Sequence, residues 1–108
     1  MSSLGLGRAG REPSSRVSRA AELELNEAAD FYDLRDHGLG SAFLDEVERS
    51  LREIVQHPEA AAEVRGAVRK RITASFPYSI FYSSHGDQVR IRAIAHQKRR
   101  PFYWRGRK

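Results

Sequence analysis

Apolar residues recur at helical spacing in the first half of this chain and at strand spacing in the second. Ala21, Leu25, Ala28, Ala29 and Tyr32 fall at three- and four-residue steps, while Glu22, Glu24, Glu27, Asp30 and Asp33 fill the other faces. That spacing predicts an amphipathic helix with Ser18 as its N-cap. The helix is expected to close near His37, because Gly38 adopts the left-handed cap conformation without steric cost. A second stripe, Phe43, Leu44, Val47, Leu51, Ile54 and Val55, predicts another helix, capped by Ser41 and ended by Pro58. Asp45/Arg49 and Glu48/Arg52 support it as i,i+4 pairs. Two helices joined by about four residues run antiparallel as a hairpin.

Beyond Pro58 the period shortens to two. Strands are expected at 68–74, at 78–83 after Pro77, and at 88–95, where Val89, Ile91 and Ala93 share one face and Arg90 and Arg92 the other. His85-Gly86-Asp87 joins the last two as a tight hairpin. Helices first and strands after imply an α+β domain: a helical hairpin packed on a mainly antiparallel sheet.

Charge is segregated along the chain. Residues 1–19 hold four arginines and one glutamate. Residues 20–63 hold twelve acids against three arginines, a balance of −9, whereas residues 64–108 hold twelve bases against Asp87 alone, or +11. The absence of cysteine removes a disulfide scaffold, a cysteine–zinc cluster and a thiol nucleophile. No apolar run approaches the roughly 18 residues of a membrane span. The Gly-, Ser- and Arg-containing leader shows neither period nor secretory apolar core, so residues 1–17 are expected to form a disordered or frayed extension and 18–108 the domain.

With Ile72, Val89 and Ile91 facing the helices, Arg69, Arg71, Arg90 and Arg92 are expected together on the opposite face of the sheet. Lys98, Arg99, Arg100, Arg105 and Arg107 add to this charge, interleaved with Phe102, Tyr103 and Trp104. Basic residues among aromatics suit phosphate contact with stacking, or an acidic protein partner. The plainer alternative is a solvated basic face with an aromatic anchor closing the core. The acids of the first helix read as a solvated face. Among the histidines, His96 is the one placed to exchange protons beside the basic cluster. No metal-ligand spacing, phosphate loop or serine-hydrolase elbow is present, and no cofactor is called for.

Ala21, Glu24-Leu25, Glu27-Ala28-Ala29 and Tyr32, then Gly40, Phe43-Leu44, Val47-Glu48, Ile54 and Pro58, form an ordered series. It continues through Val68-Arg69, Phe76-Pro77-Tyr78, Ile80 and Tyr82 to His96-Gln97-Lys98-Arg99, Pro101 and Trp104. Across about residues 18–106 this series resembles the ParE/RelE superfamily of bacterial type II toxin–antitoxin toxins, and its ParE branch more closely. The resemblance implies a helical hairpin on a twisted sheet of three to four strands. Family members open with a strand, but PSSRVSR is a poor one, so the first strand is expected to be weak or missing.

The resemblance further implies a cytoplasmic, plasmid-stabilizing toxin that arrests growth by inhibiting DNA gyrase and is neutralised by a cognate antitoxin in a hetero-oligomeric complex. For a ParE-like protein it implies no catalytic residue. The expected target or partner surface comprises Arg69, Arg71, Arg90, Arg92, Lys98, Arg99, Arg100, Trp104 and Arg105. Two alternatives accompany it. One is a RelE-type, ribosome-dependent mRNA endoribonuclease using His96, Tyr103, Arg69 and Arg99; against it, Ser79 stands where RelE-like nucleases carry an arginine. The other is a nontoxic, antitoxin-binding relic.

Overall fold

A computed structural model describes residues 14–107. The chain runs β1 (Ser14–Val17), α1 (Arg19–Arg35), α2 (Leu39–Gln56), β2 (Glu63–Arg65), β3 (Val68–Ile72), β4 (Tyr78–His85) and β5 (Gln88–His96). Two helices pack on a five-stranded sheet ordered β1-β5-β4-β3-β2. All neighbouring strands are antiparallel except β1 and β5. The expected hairpin-on-sheet, α+β architecture is present, with two differences at the edges of the sheet. There are five strands where three to four were expected, because β2 adds a three-residue edge with no periodic signal of its own. The first strand, expected to be weak or missing, is formed: Ser14 N–H donates to Asp87 O at 3.0 Å and Ser18 N–H to Ile91 O at 3.0 Å. Backbone bonds to β5 hold it despite its poor strand formers. The ordered fold therefore begins ahead of residue 18, while the expectation for residues 1–13 lies outside the described residues. Among the described residues no helix is long and apolar enough to cross a membrane.

Ser18 caps α1 as expected, its Oγ accepting from Ala21 N at 3.1 Å. The helix–helix corner differs from expectation. α1 ends at Arg35, and Gly38, at φ +90°, precedes α2 and does not close α1. The group that caps α2 is not Ser41 but Asp33, whose Oδ1 accepts from Gly40 N at 2.8 Å. Here the helices nearly touch: a Cβ on Gly40 would lie 2.4 Å from Ala29 O and 2.7 Å from Asp33 Cγ. Gly40 is thus needed for the close approach of α2 to α1.

The main core lies between helices and sheet. Ala21, Ala28 and Ala29 of α1 and Phe43, Val47 and Ile54 of α2 pack on Ile80, Tyr82, Val89, Ile91 and Ile94. The Phe76-Pro77-Tyr78 motif belongs to this core. Phe76 and Tyr78 stack edge-on against Phe43 at 5.2 and 4.9 Å and surround Tyr32 at 5.0 and 6.1 Å. Buried Glu46 anchors the adjoining loop by accepting from Ser75 N–H at 2.6 Å. Burial opposes its charge, but hydrogen bonds from Ser75 and Phe76, with Arg49 nearby, hold its pKa below the ordinary value.

A bulge resets the faces of β5. Tyr82 pairs with Ile91 but Phe81 with Ala93, which leaves Arg92 as the extra residue. Val89 and Ile91 face the helices as expected. Beyond the bulge Ile94 takes that side, and Ala93 turns to the opposite one, joining Val68 and Trp104 in a second small core. A strict two-residue alternation cannot register an inserted residue.

Candidate functional site: an aromatic cleft under the C-terminal segment

The face of the sheet away from the helices is not a bare cationic platform. Residues 97–107 fold back across it in successive turns, helped by Phe102 at φ +59° and Gly106 at φ +91°. Trp104 is 5% exposed and packs with Val68 and Ala93; Val64, Phe81, Phe102 and Tyr103 close around them. Its ring lies 5.2 Å from Phe81 and 5.9 Å from Phe102.

What ties this segment down is one carboxylate. Glu24 of α1 accepts from Tyr103 OH at 2.6 Å, from Arg107 Nη1 and Nη2 at 3.1 and 3.0 Å, and from Ile94 N–H at 3.0 Å. The Ile94 N–H lies past the end of β1, so Glu24 supplies the acceptor where strand pairing stops. Arg92, the bulge residue, completes the lock. Its Nη1 donates to Arg107 O at 3.2 Å and its Nε to Ser83 Oγ at 3.0 Å, while its own carbonyl accepts from Arg107 Nη1 at 3.1 Å. Burial and the Glu24 carboxylate push the Tyr103 pKa well up, so the phenol stays protonated. The hydrogen bond to Glu24 likewise raises the Arg107 pKa.

Between this segment and the sheet runs a cleft of about 180 Å³, with Ser79, Phe81, Phe102 and Trp104 among its walls. Lys70, Arg99 and Arg100 also line it. Among the described residues no carboxylate lies within 4.0 Å of these three cations. Arg99 stacks its guanidinium over Tyr103, 4.0 Å from the ring centroid. His96 borders the cleft, packs edge-on against Tyr78 at 5.3 Å, and accepts the Lys98 N–H on Nδ1 at 3.0 Å.

The family model of the ParE toxin of type II toxin–antitoxin systems, parDE, matches residues 16–101, from β1 into the C-terminal segment. The chain belongs to the ParE toxin family. A solved structure of the chromosomal ParDE TA system from P. aeruginosa resembles it with a TM-score of 0.70 at 16% identity, covering 81% of this chain and 98% of that one. At that identity the likeness speaks to the fold alone. No curated protein matches this chain.

This ParE family member does not gather its expected site residues in one place. Arg69 and Arg71 pair in register with Tyr82 and Ile80, so they occupy the helix side of the sheet and not the side of the cleft. They are spent there: Arg69 donates to Ala61 O at 2.6 Å and pairs with Glu63, and Arg71 pairs with Glu53. The expectation of four arginines on one face fails because Ile72, taken to face the helices, is 55% exposed on the other side. Arg90 sits beside Arg16 and Ser18 at the β1–α1 junction, and Arg92 is consumed in the lock. Lys98 and Arg105 are exposed at the ends of the C-terminal turns.

Of the expected nuclease set, His96, Arg99 and Tyr103 meet at the cleft and Arg69 does not. The Tyr103 hydroxyl is already bound to Glu24. The sequence had placed Glu24 on a solvated face, but its side chain is only 15% exposed. Lys70 and Phe81 were not singled out, and Arg107 was named only as part of the basic charge. One signal existed for Lys70: the alternation of β3 puts it on the side opposite Arg69 and Arg71.

Proposed function

We propose that this ParE family chain is a growth-arresting cytoplasmic toxin that works by protein–protein contact with DNA gyrase and is silenced by a cognate antitoxin. The observation that carries this reading is the state of the groups a nuclease would use. Ser79, which stands where RelE-like nucleases carry an arginine, is buried, Tyr103 is locked to Glu24, and Arg69 lies on the other face. A serine hydroxyl cannot supply the electrostatic stabilisation that dominates such chemistry. What is left for a target is surface: Lys98, Arg99, Arg100 and Arg105, held on a rigid segment by the lock.

The antitoxin reading rests on a different surface. Leu23, Phe31 and Leu34 are 58, 50 and 88% exposed along one side of α1, while exposed Ile72 lies on the opposite face of the sheet, past the β2 pairing. Apolar residues at these helical steps suit an amphipathic segment laid across the hairpin, continuing along the sheet. Acidic residues in that segment would be drawn to the basic half and would set its orientation and on-rate. Affinity is expected to fall as salt rises; a salt-independent complex would contradict the electrostatic part.

The deciding experiment is a gyrase supercoiling assay with the purified chain. Inhibition with accumulated cleaved DNA, reduced by joint Arg99→Gln and Arg100→Gln substitution, is expected. Undisturbed supercoiling, together with site-specific cuts on translating ribosomes that vanish in His96→Ala, would replace this reading with the endoribonuclease one. Expression without growth arrest, with antitoxin binding retained, would indicate a relic.

A further inference from the structure

Three arginines stand together where the first strand meets the first helix. Arg16 of β1 and Arg90 of β5 are in register at the edge of the sheet. With Arg19, the first residue of α1, they line one open recess of about 310 Å³ beside Val17 and Ser18. The next pair along, Val17 and Ile91, packs toward the main core. Successive residues of a strand project to opposite faces, so Arg16 and Arg90 project side by side from the face away from the helices. Neighbouring strands lie about 4.8 Å apart, and like charges set opposite one another at that spacing repel.

Arg52, Arg69, Arg71 and Arg107 each have a carboxylate within 4.0 Å. Among the described residues none lies that close to Arg16, Arg19 or Arg90. A mutually repelling trio without a counter-charge of its own attracts an anion from outside.

The surroundings of the trio select what carries that anion. The large exposed apolar residues, Leu23, Phe31, Leu34, Leu44 and Ile72, all lie elsewhere, and none lines the recess. A protein partner would find no hydrophobic anchor there, and protein interfaces draw most of their energy from such anchors. No aromatic ring lines the recess either, so the unpaired bases of a single strand have nothing to stack on. The phosphates of a duplex need neither feature. They repeat a negative charge every ~3.4 Å along each strand whatever the sequence, and arginine forks match their oxygens.

We propose that Arg16, Arg19 and Arg90 form a docking surface for the sugar–phosphate backbone of a nucleic-acid duplex, held without regard to base sequence. This contact goes beyond the gyrase reading and is measured on the chain alone, so either can fail without the other.

Fluorescence anisotropy of labelled, mixed-sequence DNA and RNA duplexes, titrated with the full chain between about 50 and 200 mM salt, tests the surface. Three phosphate contacts predict an affinity that falls at least about 40-fold over that range. Joint Arg16→Gln, Arg19→Gln and Arg90→Gln substitution should weaken binding at low salt about tenfold or more. It should also make the slope of log affinity against log salt shallower by about 2.7, and Arg19→Gln alone by about 0.9. Joint Arg35→Gln, Arg49→Gln and Arg52→Gln substitution removes the same charge from exposed positions on the helices and should leave that slope unchanged. Because the Arg16/Arg90 repulsion is relieved, the first variant should melt at or above the parent temperature, which separates lost binding from lost fold. Binding of the DNA duplex, the RNA duplex or both supports the surface and names its source. Equal losses in the two triple variants would reduce the contact to diffuse net charge and overturn the proposal. So would absence of duplex binding at low salt, a first triple variant that binds like the parent, or tighter binding of single-stranded DNA or polyglutamate than of the duplexes.

Discussion

Replacing Glu24 tests whether one helix carboxylate holds the C-terminal segment in place. Its two oxygens receive four hydrogen bonds: from Tyr103 OH at 2.6 Å, Ile94 N–H at 3.0 Å and the two Arg107 donors at 3.0 and 3.1 Å. The Glu24 side chain is 15% exposed and that of Arg107 25%, so the pair is neither a surface ion pair nor fully desolvated. Hydrogen bonds to a charged group contribute about 1.5–3 kcal/mol each and are not additive. Removing one partner of a buried pair costs about 3–5 kcal/mol, which the partial exposure of Arg107 reduces. Glu24→Gln keeps the shape but turns an NH2 toward donors, and should cost about 2–3 kcal/mol. Glu24→Ala also orphans the Ile94 N–H and should cost about 3–4 kcal/mol. For a domain of this size the Gln variant should melt roughly 10–20 °C lower.

Urea unfolding followed by Trp104 fluorescence measures the loss, because that ring sits beneath the segment. Tryptic cleavage after Arg99 and Arg100 reports whether the segment detaches before the rest unfolds. A cycle combining Glu24→Gln with Arg107→Met should show a coupling of about 1–3 kcal/mol, since the two side chains share hydrogen bonds. Additive losses, or a Gln variant within about 0.5 kcal/mol of the parent, would refute the lock, since that is the range of an inconsequential surface change.

Further outcomes follow from the packing and the titrating groups. Gly40→Ala should cost about 3 kcal/mol or more, since a Cβ 2.4 Å from the Ala29 carbonyl cannot be relieved by a side-chain rotation; thermal melting measures it, and a gain from helix propensity alone would refute the close approach. The Glu46 pKa is lowered on folding, so its stabilisation is full above the ordinary value of 4.5 and is lost as pH falls through the lower folded value. Acid unfolding should therefore be shallower in Glu46→Gln, and identical slopes would refute the assignment. Burial raises the pKa of all four tyrosines, most of all Tyr103, where the Glu24 carboxylate adds to it. Tyrosinate absorbance should accordingly appear only above pH 10.0, the ordinary tyrosine value, and Glu24→Gln should bring one tyrosine down. Because the folded values are raised, this stabilisation is complete below pH 10.0 and fades as pH climbs toward the folded values.

Periodicity alone carried the two helices, the three long strands, the hairpin at Gly86-Asp87 and the segregation of charge, because each follows from neighbours within about two helical turns or one strand. Ser18 as a cap and Pro58 as a stop were legible for the same reason. Whatever depended on two distant segments meeting was decided by the tertiary structure. β1 has weak strand formers and exists because the β5 edge offers it hydrogen bonds. Arg92 became a bulge only in pairing with β4, and that one inserted residue turned Ala93 away from the helices. Ile72 looked like core by its side chain, yet the register of β3 gave the helix side to Arg69 and Arg71. Glu24 had the signature of a solvated acid; 83 residues separate it from Arg107, and no local pattern encodes a contact of that span. The cleft is the same case, with Lys70 from β3, Ser79 from β4 and Trp104 from the C-terminal turns brought together only once the chain closes over its own sheet.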